Sequence, residues 1–254
     1  MIAPSLAFLG DFGEAIEFIF KERESVSGGV QIGGIPELSG FAATHMYVSI
    51  AALAIAAALA IPLALWLGHL GRGDFLATAT SNVGRAVPSL ALLAFFISFV
   101  GLGYTNVIAV LVLLAIPPLI TNTYVGVRQV DRDTVDAAKG QGMTGMEIVR
   151  KIELPLALPS IFGGLRTSAV NVVATATIAP LANVQTLGEP IITPQTYGFV
   201  GQLGASILVA VITLAVDFVF ARLQRAVTPA GLRPMTPVAR RRFSLPTRRR
   251  LESR

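Results

Sequence analysis

VSIAALAIAAALAIPLALWL, residues 48–67, contains no charged residue from end to end. About 20 apolar residues suffice to cross the hydrocarbon core of a bilayer. The stretch therefore predicts a membrane-spanning helix, with Pro62 inside it as a candidate kink of the kind membrane helices tolerate. The charge-free region is wider than the helix, extending from Glu37 to Arg72. Composition agrees. Hydrophobic residues make up 53% of the 254-residue chain and charged ones 14%, against roughly 25% charged in soluble domains. Mean hydropathy is +0.68. A soluble core of this size cannot hide so much apolar surface, so lipid must cover part of it.

Working outward, residues 86–127 are again uncharged. That is too long for one span and right for two, with Gly101, Gly103 and Asn106 around Tyr104 marking the turn. Spans are expected at 84–101 and 105–127. After a charged segment, 128–153, a fourth follows at 157–181, then a loop from Asn183 to Gly198, and a fifth at 199–223. Leu9, Phe12, Ile16 and Ile19 recur at helical spacing ahead of these spans, predicting a short interfacial helix. The glycine-rich run Ser25–Gly40 reads as a loop. Asp11 and Glu14 interrupt the N-terminal apolar stretch, and no basic region precedes it, so it does not read as a signal peptide.

Five spans place the termini on opposite sides. With the N-terminus outside, only Lys21 and Arg23 of the 20 lysines and arginines lie outside. The positive-inside rule then gives N-terminus out and C-terminus in. The outer segments are acidic instead: Asp11, Glu14, Glu17, Glu22, Glu24, Glu37 and Glu189. Residues 1–43 form an outer-side amphipathic segment and loop, 44–226 the transmembrane domain, and 227–254 a basic inner tail. Pro229, Pro234 and Pro237, followed by the runs Arg240–Arg242 and Arg248–Arg250, make that tail a solvated, disordered one or a contact for anionic lipid headgroups. Tethered to a membrane and carrying one aromatic, Phe243, it is not a nucleic-acid binder.

The inner segment DAAKGQGMTGMEIVRKIELP, Asp136–Pro155, reads as two short helices separated by a glycine break. Ala137 and Ala138 leave a low surface that a partner approaches closely. Gly140 and Gly142 permit a sharp turn. Met143, Met146, Ile148, Val149 and Ile152 supply apolar contacts, and Pro155 interrupts the chain as it enters the fourth span. An amphipathic helix pair on the inner membrane face suits a groove in a soluble partner.

This segment resembles the cytoplasmic signature of ATP-binding-cassette (ABC) importer permeases, E-A-A-x3-G-x9-I-x-L-P. Asp136, Ala137, Ala138, Gly142, Ile152, Leu154 and Pro155 match at the right spacing, with Asp in place of the first Glu. AVPSLALLAFF (86–96), TNTYVGVRQVD (121–131) and ELPLALPSIFGGLRTSAVNVVATATIAPL (153–181) look like the osmoprotectant branch of these permeases, which imports glycine betaine, carnitine, choline or proline. The loop ANVQTLG (182–188) departs from the glycine-rich run of that branch. The resemblance implies an all-α integral membrane fold of type I, with five spans and a coupling-helix pair between the third and fourth. It implies a bacterial cytoplasmic-membrane location and half of a transmembrane path. The expected partners are a cytoplasmic ABC ATPase, a second permease (identical or not), an extracytoplasmic substrate-binding protein and membrane lipid. Asp136, Ala137, Ala138, Gly142, Met143, Met146 and Glu147 are the expected contact with the ATPase. Another small amine or amino-acid derivative is the alternative cargo.

What the sequence lacks agrees with that division of labour. No G-x4-G-K-[ST] phosphate loop is present, so this chain carries no cofactor of its own, and ATP and magnesium belong to the ATPase. There is no cysteine, and His45 and His69, the only histidines, lie near opposite ends of the first span, so no metal site and no intramembrane enzyme are expected. A secondary transporter needs internal repeats and central ion sites, and neither is visible. Thr167, Asn171 and Thr175 recur every four residues on the fourth span, a polar stripe that either faces the translocation path or bonds to neighbouring backbone. Tyr104 and Tyr197 are candidates for the outer entrance. Asp217 inside the fifth span needs a partner, with Arg166 and Arg222 at similar depth; a structural ion pair is favoured over proton coupling.

Overall fold

The computed structural model describes residues 3–228; the arginine runs of the tail lie outside them. In chain order the described elements are α1 (Ala3–Phe20), a hairpin of β1 (Glu22–Glu24) and β2 (Gln31–Gly33), α2 (Gly34–Leu70), α3 (Asp74–Ala86), α4 (Ser89–Val100) and α5 (Tyr104–Arg128). Then come α6 (Arg132–Gly140), α7 (Gly145–Ile148), a π-helical turn (Val149–Glu153), α8 (Leu154–Thr175), a 3-10 segment (Ala176–Ala182), α9 (Glu189–Ile192) and α10 (Pro194–Val227).

The bundle is organised around α5, which packs on α2 along one side and on α8 along another. On α2 the buried positions Ala52, Ala56, Ala60, Ala64 and Gly68 recur every four residues. Lipid offers no hydrophobic penalty that would drive helices together, so membrane helices associate where small residues let backbones approach. At Gly68 an added Cβ would lie 2.8 Å from Val127 Cβ. The α5–α8 crossing uses the same device. A Cβ on Gly164 would meet Asn122 Cβ at 2.9 Å and the Pro118 carbonyl at 3.1 Å. Ser168, fully buried, donates to the Ala115 carbonyl at 2.8 Å. Gly164→Leu is therefore expected to cost roughly 1–3 kcal/mol by overpacking and to lower the melting temperature of the purified protein. Gly163→Ala, whose Cβ meets nothing closer than Gln224 Nε2 at 3.4 Å, should leave it unchanged.

Several expectations are corrected. The second span at 84–101 is instead two helices, α3 and α4, divided at Val87–Pro88. Proline lacks an amide hydrogen and disfavours helical geometry in the residue before it. The 12 residues of α4 reach only about 18 Å, so four of the described helices are each long and apolar enough to cross a membrane; α2 and α5 run parallel, Tyr47 meeting Tyr104 at one end and Gly68 lying against Val127 at the other, so α3 and α4 together carry the chain back between those ends. α2 is not confined to 48–67; it starts at Gly34 and runs unbroken through Pro62. The stretch Ser25–Gly40 is accordingly no simple loop but part of a hairpin, with Glu22 opposite Gly33, followed by the first turns of α2.

The N-terminal segment is a helix, and the edge it packs against the bundle is not the one carrying Phe12 and Ile16. Ala15 and Phe18 are inside, while Phe12 and Ile16 are exposed; the Leu9 side chain lies outside the described part. Phe18 joins Ile32, Leu38, Phe41, Leu187 and Tyr197 in one cluster, which ties α1 and the hairpin to α2 and α10. The second of the two short helices is continuous with the fourth span. Leu154 donates its amide to the Val149 carbonyl, closing the π turn, and Pro155, which has no amide hydrogen to donate, follows directly in the first turn of α8. The fifth span does become regular at 199, because Gly198 (φ 64°, ψ −177°) breaks α10 just before it.

Candidate functional site

The segment between α5 and α8 builds itself from local signals. Asp131 opens α6 by accepting from the Asp133 amide at 2.9 Å. At the other end the Met143 amide reaches the Ala138 carbonyl (3.2 Å) and the Gly142 amide reaches Lys139 (2.9 Å). These are the two bonds of a Schellman termination, in which the residue after the cap takes left-handed geometry. Gly142 is that residue, with φ +83° and nothing within 4 Å of an added Cβ. Gly140 simply ends the helix and has no such requirement. Thr144 then starts α7 with a capping box: its hydroxyl accepts from the Glu147 amide, and the Glu147 carboxylate accepts from the Thr144 amide at 3.0 Å.

Val130, Val135, Ala138 and Ile148 form a small core beneath the turn, with Met143 and Ile152 packed against it. The seven residues singled out from the sequence thus divide. Asp136, paired with Lys139 at 2.9 Å, faces outward with Ala137, Gly142 and Met146. Ala138 and Met143 hold the segment together from within. Glu147 serves as the capping side chain and bonds Lys151 at 3.0 Å. None of these outward residues has a side chain longer than methionine.

At membrane depth, Thr167 and Asn171 lie exposed on one face of α8 and Thr175 is half-buried. Thr167 donates to its own helix at Gly163 (3.0 Å). Arg166 grips Asp217 of α10 with two bonds, Nε to Oδ1 at 2.6 Å and Nη2 to Oδ2 at 2.7 Å. Arg222 takes no part in that pair; its guanidinium lies 4.6 Å over the Phe218 ring. Five residues along a helix turn a side chain about 140° away, which removes Arg222 from the Asp217 face.

At the end of the bundle opposite the α6–α7 segment, the two tyrosines expected at an entrance separate. Tyr104 is exposed and meets Tyr47 of α2 edge to face at 6.0 Å. The two border an open groove of about 550 Å³ with Ala43 and Thr44. Tyr197 is not at an entrance. It is buried, edge-on to Phe18, and donates to Glu37 at 2.7 Å. Its sequence position beside a polar loop gave no sign of this, and Tyr47 was missed because its partner is distant in the chain. Nearby, burial, together with the Glu37 charge, pushes the Glu189 carboxyl up from its ordinary value.

Residues 56–230 match the family model described as binding-protein-dependent transport system inner membrane component. The chain is 35% identical over 203 residues to the glycine betaine/carnitine/choline transport system permease protein OpuCB of Bacillus subtilis, covering 77% of this chain and 90% of that one. It is 35% identical over 196 residues to the choline transport system permease protein OpuBB of the same organism, covering 74% and 87%. Among solved structures, an inward-facing form of the MetNI methionine ABC transporter aligns with TM-score 0.65 at 21% identity, over 77% of this chain and 98% of that one. That likeness is one of fold.

Proposed function

The chain belongs to the binding-protein-dependent transport system inner membrane component family, as a multi-pass permease subunit of an ABC importer and not an enzyme, and from that premise we propose that its cargo is a compatible solute such as glycine betaine, choline, carnitine or proline. Permeases of this kind work with an ATPase, a second permease and a binding protein. The observation that carries the substrate class is the 35% identity, over nine-tenths of its length, to a permease named for glycine betaine, carnitine and choline.

The finer assignments rest on placement. The outward surface of Asp136, Ala137, Gly142 and Met146 is the docking face for the ATPase, which carries ATP and magnesium. The N-terminus lies outside and the α6–α7 end inside, where Arg72, Arg128, Arg132, Lys139, Arg150 and Lys151 gather. Thr167, Asn171 and Thr175 face the path between two permeases, since among the described residues no neighbouring helix covers Thr167 or Asn171. Tyr47 and Tyr104 flank the outer mouth, where ring faces favour a quaternary ammonium. Two rings make no closed cage, so high-affinity capture belongs to the binding protein. Another small amine or amino-acid derivative is the second reading.

The test is ATP-dependent uptake of labelled glycine betaine, choline, carnitine and proline into liposomes holding this subunit with its ATPase and binding protein. Uptake of one of these that requires every component is the expected result. A complex that assembles and hydrolyses ATP but moves none of the four would overturn the substrate class and leave the permease assignment standing.

A further inference from the structure

His69 lies in the last turn of α2, and Glu153 closes the π turn 84 residues later. The imidazole Nδ1 donates to Glu153 Oε2 at 2.8 Å. The carboxylate side chain is 1% exposed and the imidazole 14%. A carboxylate in such a place costs stability unless its hydrogen bonds are made, and His69 makes one from a different span. The other edge of the same ring faces Gly145, the first residue of α7, where an added Cβ would stand 3.0 Å from Nε2. Trp66, one turn back on α2, backs the ring at 6.0 Å between centroids. One side chain of α2 is therefore held between both ends of the α7–π element. π turns interrupt regular helices most often at functional places, and this one separates the exposed α6–α7 surface from α8.

We propose that His69 is a positioning residue for energy coupling: movement of the α6–α7 segment reaches α2 through the Gly145–His69–Glu153 contact. The proposal rests on the importer reading. A load arriving at the exposed face of α6 and α7 pushes Gly145 and the π turn together, and the wedged imidazole passes it to a 37-residue helix whose packing against α5 organises the bundle. A pair that only satisfied a buried carboxylate would matter for assembly and leave the ratio of ATP hydrolysed to solute moved untouched.

The measurement is that ratio, in liposomes holding the full complex, alongside the amount of complex that co-purifies. His69→Leu removes the donor and is expected to raise ATP consumed per solute imported roughly tenfold, within the usual range of coupling between sites, in complex that assembles normally. His69→Asn places an amide nitrogen where Nδ1 stands but has no atom at the Nε2 edge that meets Gly145, so it is expected to assemble like wild type and still raise the ratio. Gly145→Val presses on the ring from the far side without removing a buried polar group, and is expected to uncouple as His69→Leu does, which keeps the test decisive if His69→Leu fails to assemble. Wild-type ratios in assembled His69→Leu or Gly145→Val overturn the proposal, as does loss of assembly in both. Absence of ATP-driven uptake of every solute by the wild-type complex overturns the importer reading as well.

Discussion

Replacing Gly142 with leucine is expected to abolish most solute uptake while leaving the ATPase able to hydrolyse ATP. The reason lies in the backbone. An added Cβ finds open space, but φ is +83°, and left-handed geometry costs an L-residue about 1–2 kcal/mol. The cheapest escape is to give up the Schellman bonds from Met143 to Ala138 and from Gly142 to Lys139. That moves α6 relative to α7 and displaces Asp136, Ala137 and Met146 as a group. A misplacement of about 1 Å at a working surface can cost on the order of a hundredfold in rate, so uptake should fall at least tenfold. Asparagine tolerates left-handed geometry, so Gly142→Asn should retain most activity, which separates a backbone effect from any need for a bare surface. Asp136→Lys attacks the same face by charge, replacing the pair with Lys139 by two like charges one turn apart. Normal uptake by both Gly142→Leu and Asp136→Lys would remove this segment from the coupling path.

Gly142 was readable because a left-handed helix end is a local event, decided by the residues within one turn of it. α5 was readable within a residue at each end, because an uncharged run bounded by Gly103 and Arg128 leaves little choice. The break at Pro88 was also a local signal, overridden in the reading by the hydrophobic run around it. Other features were not local at all. Tyr197 and Tyr104 both stand at the start of a long helix beside a glycine, yet one is buried against Phe18 and the other exposed. The position of α1 and of the first turns of α2 decides between them. In a membrane, moreover, an apolar residue is at home on the lipid face and in the core alike, so hydrophobicity does not tell the buried edge of a helix from the exposed one. Small residues tell it better. The Ala52–Gly68 spacing on α2 marks the α5 contact that hydropathy leaves blank. The His69–Glu153 bond was invisible because a histidine and a glutamate far apart in the chain carry no mark of pairing.

Substitution of Asp217 by leucine is expected to be the most damaging change within the spans. Its carboxylate takes both guanidinium bonds of Arg166, and Arg166 cannot shed its charge, since arginine stays protonated in proteins. Removing the carboxylate strands that cation within the span, where an ionisable side chain needs a partner, so removing one member of the pair should harm more than removing both. Asp217→Leu should therefore reduce the amount of assembled complex and the uptake it supports. Arg166→Leu/Asp217→Leu should recover much of the assembly. The exchanged pair Arg166→Asp/Asp217→Arg should recover both assembly and uptake if the role is to hold α8 against α10. The same substitutions distinguish holding from proton transfer. Asp217→Asn keeps an acceptor for Arg166 but no titratable group, so a structural pair predicts an uptake–pH profile parallel to wild type at reduced amplitude. A profile that becomes flat with pH, in protein present at normal levels, would make Asp217 a proton-coupling residue instead. The geometry favours the first outcome, because both carboxylate oxygens already face the guanidinium, and Gln224 donates from α10 to the Pro159 carbonyl of α8 at 2.8 Å, two turns further along the same helix contact.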